Sequence, residues 1–300
     1  MNQTDDAKER YVNMFGANKR TKAALAALAT AALATALLAG CAIKDAGGPA
    51  GNSPRSVEQI KESGTVRIGV FSDKSPFGYV DEHGSYAGYD IELANRIGED
   101  LGVKVEFVST EAANRVEYLQ TNKVDIILAN FTVTDERAQQ VDFAAPYMNV
   151  ALGVVSRTDN PITDMAQIGP NDEVIVISGT TAETYLTKNM PNVKMKKFDT
   201  YASAKTAFEN GESVAWANDN TEVIAFAKAD AGRYVVGIDA LGNADTIAPA
   251  VTKGNDSLRS WLNDELASLG SQRFFHDAYD KTLAATYGEA YRDTLVVEPK

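Results

Sequence analysis

From residue 57 onward, short apolar runs rich in β-branched residues alternate with stretches whose apolar positions recur at helical spacing. Val66-Arg-Ile-Gly-Val70 reads as a strand, and Tyr89 to Leu101 as a helix that carries Ile91, Ala94, Ile97 and Leu101 on one face before Gly102 closes it. Val103 to Val108 reads as the next strand and Val116 to Asn122 as a short helix. Val124-Asp-Ile-Ile-Leu-Ala129 is an almost continuous apolar run of the kind buried in a parallel sheet. The pattern then begins again, with Val174-Ile-Val-Ile-Ser178, a helix over 181–189, Val193 to Phe198, a helix over 201–209, and Val214-Ala-Trp-Ala217.

Two α/β lobes are therefore expected, each a mainly parallel sheet flanked by helices. The first spans 57–150, and the second spans 151–244, entered near Thr158-Asp-Asn-Pro161 and left through 237–243. The last stretch, 245–300, holds a strand-like Thr246 to Thr252 and a helix with Leu258, Trp261, Leu262, Leu266 and Leu269 on one face. It has too little sheet to stand alone, so it is expected to return to the first lobe and complete a two-stranded hinge. Ligands of open α/β sheets bind beyond the carboxyl ends of the strands. The loops after Val70, Ala129, Ser178 and Ala217 should then converge on one cleft.

The N-terminus adds a destination. Lys19, Arg20 and Lys22 precede an Ala/Leu-rich run, Ala23 to Leu38, too short for a comfortable membrane span, which ends in Leu38-Ala-Gly-Cys41. Residues 1–40 read as a secretion signal, with Met14 as an alternative start to Met1. Cys41, the only cysteine, resembles a bacterial lipobox cysteine, and the Gly/Pro/Ser-rich 41–56 reads as a flexible tether to a lipid anchor. No disulfide and no thiolate metal site can form within the mature chain. The chain carries a net charge of -12, and the leader holds five basic and three acidic residues, so the remainder stands at -14. Nucleic acid is excluded as a partner by that balance.

Candidate chemistry begins at Ile127-Leu-Ala-Asn-Phe-Thr-Val-Thr-Asp-Glu-Arg137, where an apolar strand runs into a polar loop ending on one arginine. A guanidinium offers paired donors to a carboxylate. Thr134-Asp-Glu-Arg137 also has the look of a helix start, with Thr134 as cap. The two histidines, His83 in a turn and His276 in the C-terminal helices, have no partners in the sequence pattern that suggest a triad, dyad or metal site, and no Gly-rich phosphate loop is present.

Arg67-Ile-Gly-Val-Phe-Ser-Asp-Lys-Ser-Pro-Phe77, Gly88-Tyr-Asp-Ile-Glu-Leu-Ala94, Lys123-Val-Asp125, Thr132-Val-Thr-Asp-Glu-Arg137, Val141-Asp-Phe-Ala-Ala-Pro-Tyr147 and Ser178-Gly-Thr-Thr181 together resemble the family 3 extracellular solute-binding proteins of amino-acid ABC importers. Each motif is weak alone; six in the family's order are strong. Glu111 to Arg115, Asn130-Phe-Thr132, Pro146 to Val154, Asp219-Asn-Thr221 and Ile247 to Val251 look most like its cysteine-binding lipoprotein branch, with an aspartate/glutamate-binding branch nearby.

That resemblance implies the type II periplasmic-binding-protein fold and a monomeric receptor, anchored outside the cytoplasmic membrane, that delivers cysteine or cystine to a permease and its ATPase subunit. It implies no cofactor and no metal. Arg137 would fork the ligand's α-carboxylate, helped by backbone N–H groups at Thr132 and Thr181, with Thr180 beside them. Asp219 would face the α-ammonium, with Asn130 supplying an oxygen from carbonyl or side chain. Phe71, Phe77, Tyr79 and Tyr147 would form the wall, and Arg115 resembles a position at which acidic-ligand relatives bind a side-chain carboxylate. Lys74 stands where other members have an aromatic residue. A dehydratase-like enzyme on the same fold is the alternative that the absence of a catalytic histidine argues against.

Overall fold

A computed structural model describes residues 53–300. Its strands are β1 (Thr65–Val70), β2 (Asp73–Lys74), β3 (Gly78–Val80), β4 (Tyr86–Ala87), β5 (Lys104–Ser109), β6 (Ile126–Ile127), β7 (Val141–Phe143), β8 (Met148–Arg157), β9 (Glu173–Ile177), β10 (Lys194–Phe198), β11 (Ala215–Asp219), β12 (Tyr234–Ile247) and β13 (Ala250–Thr252). Two five-stranded sheets have the orders β5-β1-β6-β13-β7 and β10-β9-β11-β8-β12, and β2-β3-β4 make a small third sheet. Each large sheet has three adjacent parallel strands followed by one reversed strand, β13 in the first and β8 in the second. This is the two-lobed α/β architecture expected from the alternation.

Local chemistry explains the elements. The helix Tyr89–Leu101 stops at Gly102, whose left-handed conformation lets its N–H reach back to the carbonyls of Glu99 and Gly98. The helix Asp256–Ser271 buries Leu258, Leu262, Leu266 and Leu269 completely, at three- and four-residue intervals. Each such leucine contributes about 1.5 to 3 kcal/mol relative to exposure. Asp125, just before β6, is gripped by the guanidiniums of both Arg55 and Arg67 and by the Arg67 N–H at 2.8 Å. Burial alone would raise its carboxyl, but these partners hold it below the usual range.

Three stretches differ from the sequence pattern. Residues 124–129 are all buried, yet only Ile126 and Ile127 sit in the ladder. Thr246 to Thr252 is split at Ala248-Pro249, since proline cannot donate to a ladder. Residues 237–243, expected as an exit loop, lie inside β12, which pairs with β8 from Tyr234↔Arg157 to Ile247↔Met148 through three register shifts. The bulges absorb the polar and glycine residues that looked like a turn. Among the described residues no helix is long and apolar enough to cross a membrane. Cys41 and the leader lie outside them.

Candidate functional site

The loops after β1, β6, β9 and β11 do meet, and a lysine lies at their centre. Lys74 is fully buried, and its Nζ donates to Asp219 Oδ2 at 2.9 Å and to Asn130 Oδ1. Three aromatic rings surround this ammonium, with centroids at 5.7 Å (Phe71), 5.6 Å (Phe77) and 4.9 Å (Tyr201). Burial alone would push the ammonium down; Asp219, Tyr201 and Glu222 outweigh it and hold Lys74 above its ordinary value. Asp219 closes β11 and precedes the helix Asn220–Ala229, but its carboxylate makes no cap hydrogen bond. One of its oxygens, Oδ2, serves Lys74, and among the described residues no donor is bonded to Oδ1.

Asn130 follows β6 with φ +47, a conformation asparagine tolerates better than most residues. Its N–H donates to Asp90 Oδ2 at 2.9 Å, while its buried Nδ2 has no hydrogen-bond partner among the described residues. Asp90, fully buried at the start of the helix Tyr89–Leu101, also accepts the Tyr147 hydroxyl at 2.6 Å. Burial pushes its carboxyl up to about 7 against those two hydrogen bonds.

Arg115, 3% exposed, donates to four backbone carbonyls: Ala112 (2.9 Å), Ala129 (3.0 Å), Asn130 (3.3 Å) and Gly179 (3.1 Å). A guanidinium has five N–H donors, so this one is nearly spent on holding loops together. Arg137 is different. It is half-buried in the short helix Asp135–Ala138, which Thr134 caps by accepting the Arg137 N–H, and its guanidinium donates to the carbonyls of Thr132 (2.7 Å) and Gly179 (2.9 Å). Arg137 also lines a cavity of about 540 Å³ together with Gly179, Thr181 and Asp245. Burial, then repulsion from Arg115, pushes Arg137 down to about 9, so it remains charged at neutral pH.

Gly179 ties the two sheets together at this point. It follows β9 with φ +78, and a Cβ there would lie 2.5 Å from Ala113 Cα and 2.7 Å from its nitrogen. Thr180 caps the helix Thr181–Asn189 and gives its own hydroxyl to the Ile177 carbonyl at 2.7 Å.

The candidate wall is placed unevenly. Phe71 stacks edge-on against Tyr201 at 5.2 Å, and Phe77 packs against Lys74 and Tyr287. Tyr147 is buried between Tyr89 and Phe275 and reaches the cluster only through Asp90. Tyr79, half-buried on β3, has no hydrogen bond or ring contact with the cluster. Lys74, Asp90, Gly179, Tyr201 and Glu222 were not among the expected site residues. The signal for Lys74 was present: a lysine where an aromatic is usual, flanked by Phe71 and Phe77.

His276 is held structurally: its ring bridges Glu298 (2.6 Å) and Asp293 (3.3 Å), tying the C-terminal tail to the helix Phe274–Thr282. His83 is exposed beside Glu82. Among the described residues no group of His, Cys, Asp and Glu converges to hold a metal.

Comparison with known proteins gives this arrangement a context. Residues 66–284 match the family described as bacterial extracellular solute-binding proteins, family 3. A solved solute receptor for L-cysteine of Neisseria gonorrhoeae is 50% identical, covers 81% of this chain and 100% of its own, and superposes with a TM-score of 0.79. A cysteine-binding protein from Campylobacter jejuni is 48% identical over 81% of this chain and 98% of its own, with a TM-score of 0.78. The glutamine-binding protein GlnH of an ABC transporter in Bacillus subtilis is 27% identical over 81% of this chain and 91% of its own length.

Proposed function

The chain belongs to family 3 of the bacterial extracellular solute-binding proteins, and from that premise we propose that it captures free L-cysteine by closing its two lobes and hands it to an ABC importer. It is a binding protein, not an enzyme. The observation that carries the ligand is the half-identity with an L-cysteine receptor along that receptor's whole length.

The geometry supports an α-amino-acid site in which Arg137 forks the carboxylate and the free Oδ1 of Asp219 accepts the ammonium, with Thr132, Thr180, Thr181 and Asn130 fixing the loops around them. In this reading Arg115 braces the loops, and Phe71 and Phe77 act by enclosing Lys74. Attachment to the membrane by lipid on Cys41 belongs to the same proposal and rests on the leader pattern. Calorimetric titration of ligand-stripped protein with the twenty amino acids and cystine tests the ligand. Cysteine under reducing conditions is expected to bind at micromolar or tighter affinity; binding of another amino acid without cysteine would sink the assignment.

Closure has its own test at Gly179. An alanine Cβ there would collide with backbone atoms of Ala113, which cannot swing aside as a side chain would, and φ +78 adds strain of about 1 to 2 kcal/mol. Gly179→Ala is expected to keep the lobes apart and weaken cysteine binding at least tenfold, about 1.4 kcal/mol or more, while both lobes stay folded by circular dichroism. Unchanged affinity in titration would show that the loop does not have to seat on residues 112–114.

A further inference from the structure

A cation already sits where this cleft could hold one. Lys74 comes from β2, Asn130 follows β6 of the first large sheet, Asp219 ends β11 of the second, and Tyr201 opens the helix between β10 and β11. These four, with Phe71 and Phe77, are each at most 5% exposed. An ammonium has three donors, of which two go to Asp219 Oδ2 and the Asn130 side-chain oxygen. The third is left to the rings of Phe71, Phe77 and Tyr201, whose centroids all lie closer than the roughly 6 Å at which an aromatic face attracts a cation. One carboxylate, one amide oxygen and three rings, drawn from both large sheets, thus make a closed cage for a single ammonium.

Nothing in these partners is particular to a tethered lysine. A ligand's side-chain ammonium or guanidinium would find the same carboxylate and the same rings, but two things keep it out. The space is taken, since Lys74 is fully buried in it. The negative charge is taken as well: Asp90 serves the Asn130 N–H and the Tyr147 hydroxyl, and Glu222 is paired with Lys205 at 3.0 Å. In the cavity beyond, Glu136 is paired with Lys188, and Asp245 shares the lining with Arg137. A second cation entering the closed cleft would be a buried charge without a partner of its own, which is costly.

We propose, resting on the α-amino-acid site read above, that Lys74 sets the receptor's specificity by filling this cation cage with its own ammonium, and so excludes amino acids with cationic side chains. Asp219 then serves two ammoniums, Lys74 through Oδ2 and the ligand's α-ammonium through Oδ1, and has no third place to offer. Rejection is built from occupied space and like charge rather than from a contact to the accepted cargo.

Lys74→Ala deletes the side chain beyond Cβ, and n-propylammonium is the deleted piece. The variant is expected to melt below the wild type, because Asp219 loses its buried partner. Millimolar n-propylammonium should raise its melting temperature saturably, as a ligand of the folded state does, whereas n-propanol or sodium chloride at equal concentration should not, and the wild type should respond to none of them. If Lys74→Ala does not fold unaided, recovery from denaturant with and without n-propylammonium reads the same property. Calorimetric titration reads the specificity: the wild type is expected to reject lysine, ornithine and arginine, and Lys74→Ala to bind at least one of them about tenfold or more tighter than the wild type does.

A Lys74→Ala variant that n-propylammonium neither stabilises nor helps to refold overturns the cage. A wild type that takes a cationic amino acid as tightly as cysteine, or a rescued variant that takes none, overturns the role in specificity and leaves the receptor assignment standing. A wild type that binds no free amino acid overturns the receptor assignment instead, and the response of Lys74→Ala to n-propylammonium still decides whether the cage exists.

Discussion

Asp219→Ala is expected to abolish cysteine binding and to destabilise the fold by about 3 to 5 kcal/mol, because it strips a buried cation of its partner. Lys74 has no route to water: it is fully buried beneath Phe71, Phe77 and Tyr201, and only the Asn130 side-chain oxygen would remain bonded to it. That loss is a large part of the roughly 5 to 15 kcal/mol that holds an ordinary domain folded. Chemical denaturation of the single variant and of Lys74→Met/Asp219→Ala separates the two effects. The double variant should recover most of the stability, since no charge is left stranded, yet still fail to bind, since the proposed ammonium acceptor is gone. A single variant within about 0.5 kcal/mol of wild type, the range of ordinary surface changes, would mean that the pair is not coupled.

Arg137→Ala should leave stability nearly intact while costing about 2 to 5 kcal/mol of binding free energy, very roughly 30-fold to several thousandfold in affinity. The side chain is half-buried, and its two bonds to carbonyls are of the kind that water can replace. What water cannot replace is a fixed fork matched to a carboxylate inside a closing cleft. Arg137→Lys keeps the charge and loses the fork, so its affinity should fall between the two. Titration of each variant decides, and a folded Arg137→Ala that binds within about threefold of wild type, under 1 kcal/mol, would remove Arg137 from the site.

Much of this architecture was legible because it rests on periodicity. The helices Tyr89–Leu101, Thr181–Asn189 and Tyr201–Glu209 fall where the apolar spacing put them, and the leucine face of the helix Asp256–Ser271 is buried. What periodicity could not convey was β8 and the bulged course of β12, where glycine and polar residues are accommodated by register shifts that only the partner strand defines. Side-chain roles were harder still. Arg115 and Arg137 have the same chemistry, and nothing local distinguishes one that is spent on four carbonyls from one that faces a cavity. Asp219 closes β11, and its partner Lys74 lies 145 residues away, beyond the reach of any local pattern.

The Lys74–Asp219 pair also constrains how this receptor can change its cargo over evolutionary time. Neither residue can be exchanged alone without passing through an intermediate that strands a charge in the interior, so the two positions are bound by strong epistasis. Ligand preference here should drift in jumps, with both members of the pair replaced together or a stabilising change elsewhere acquired first.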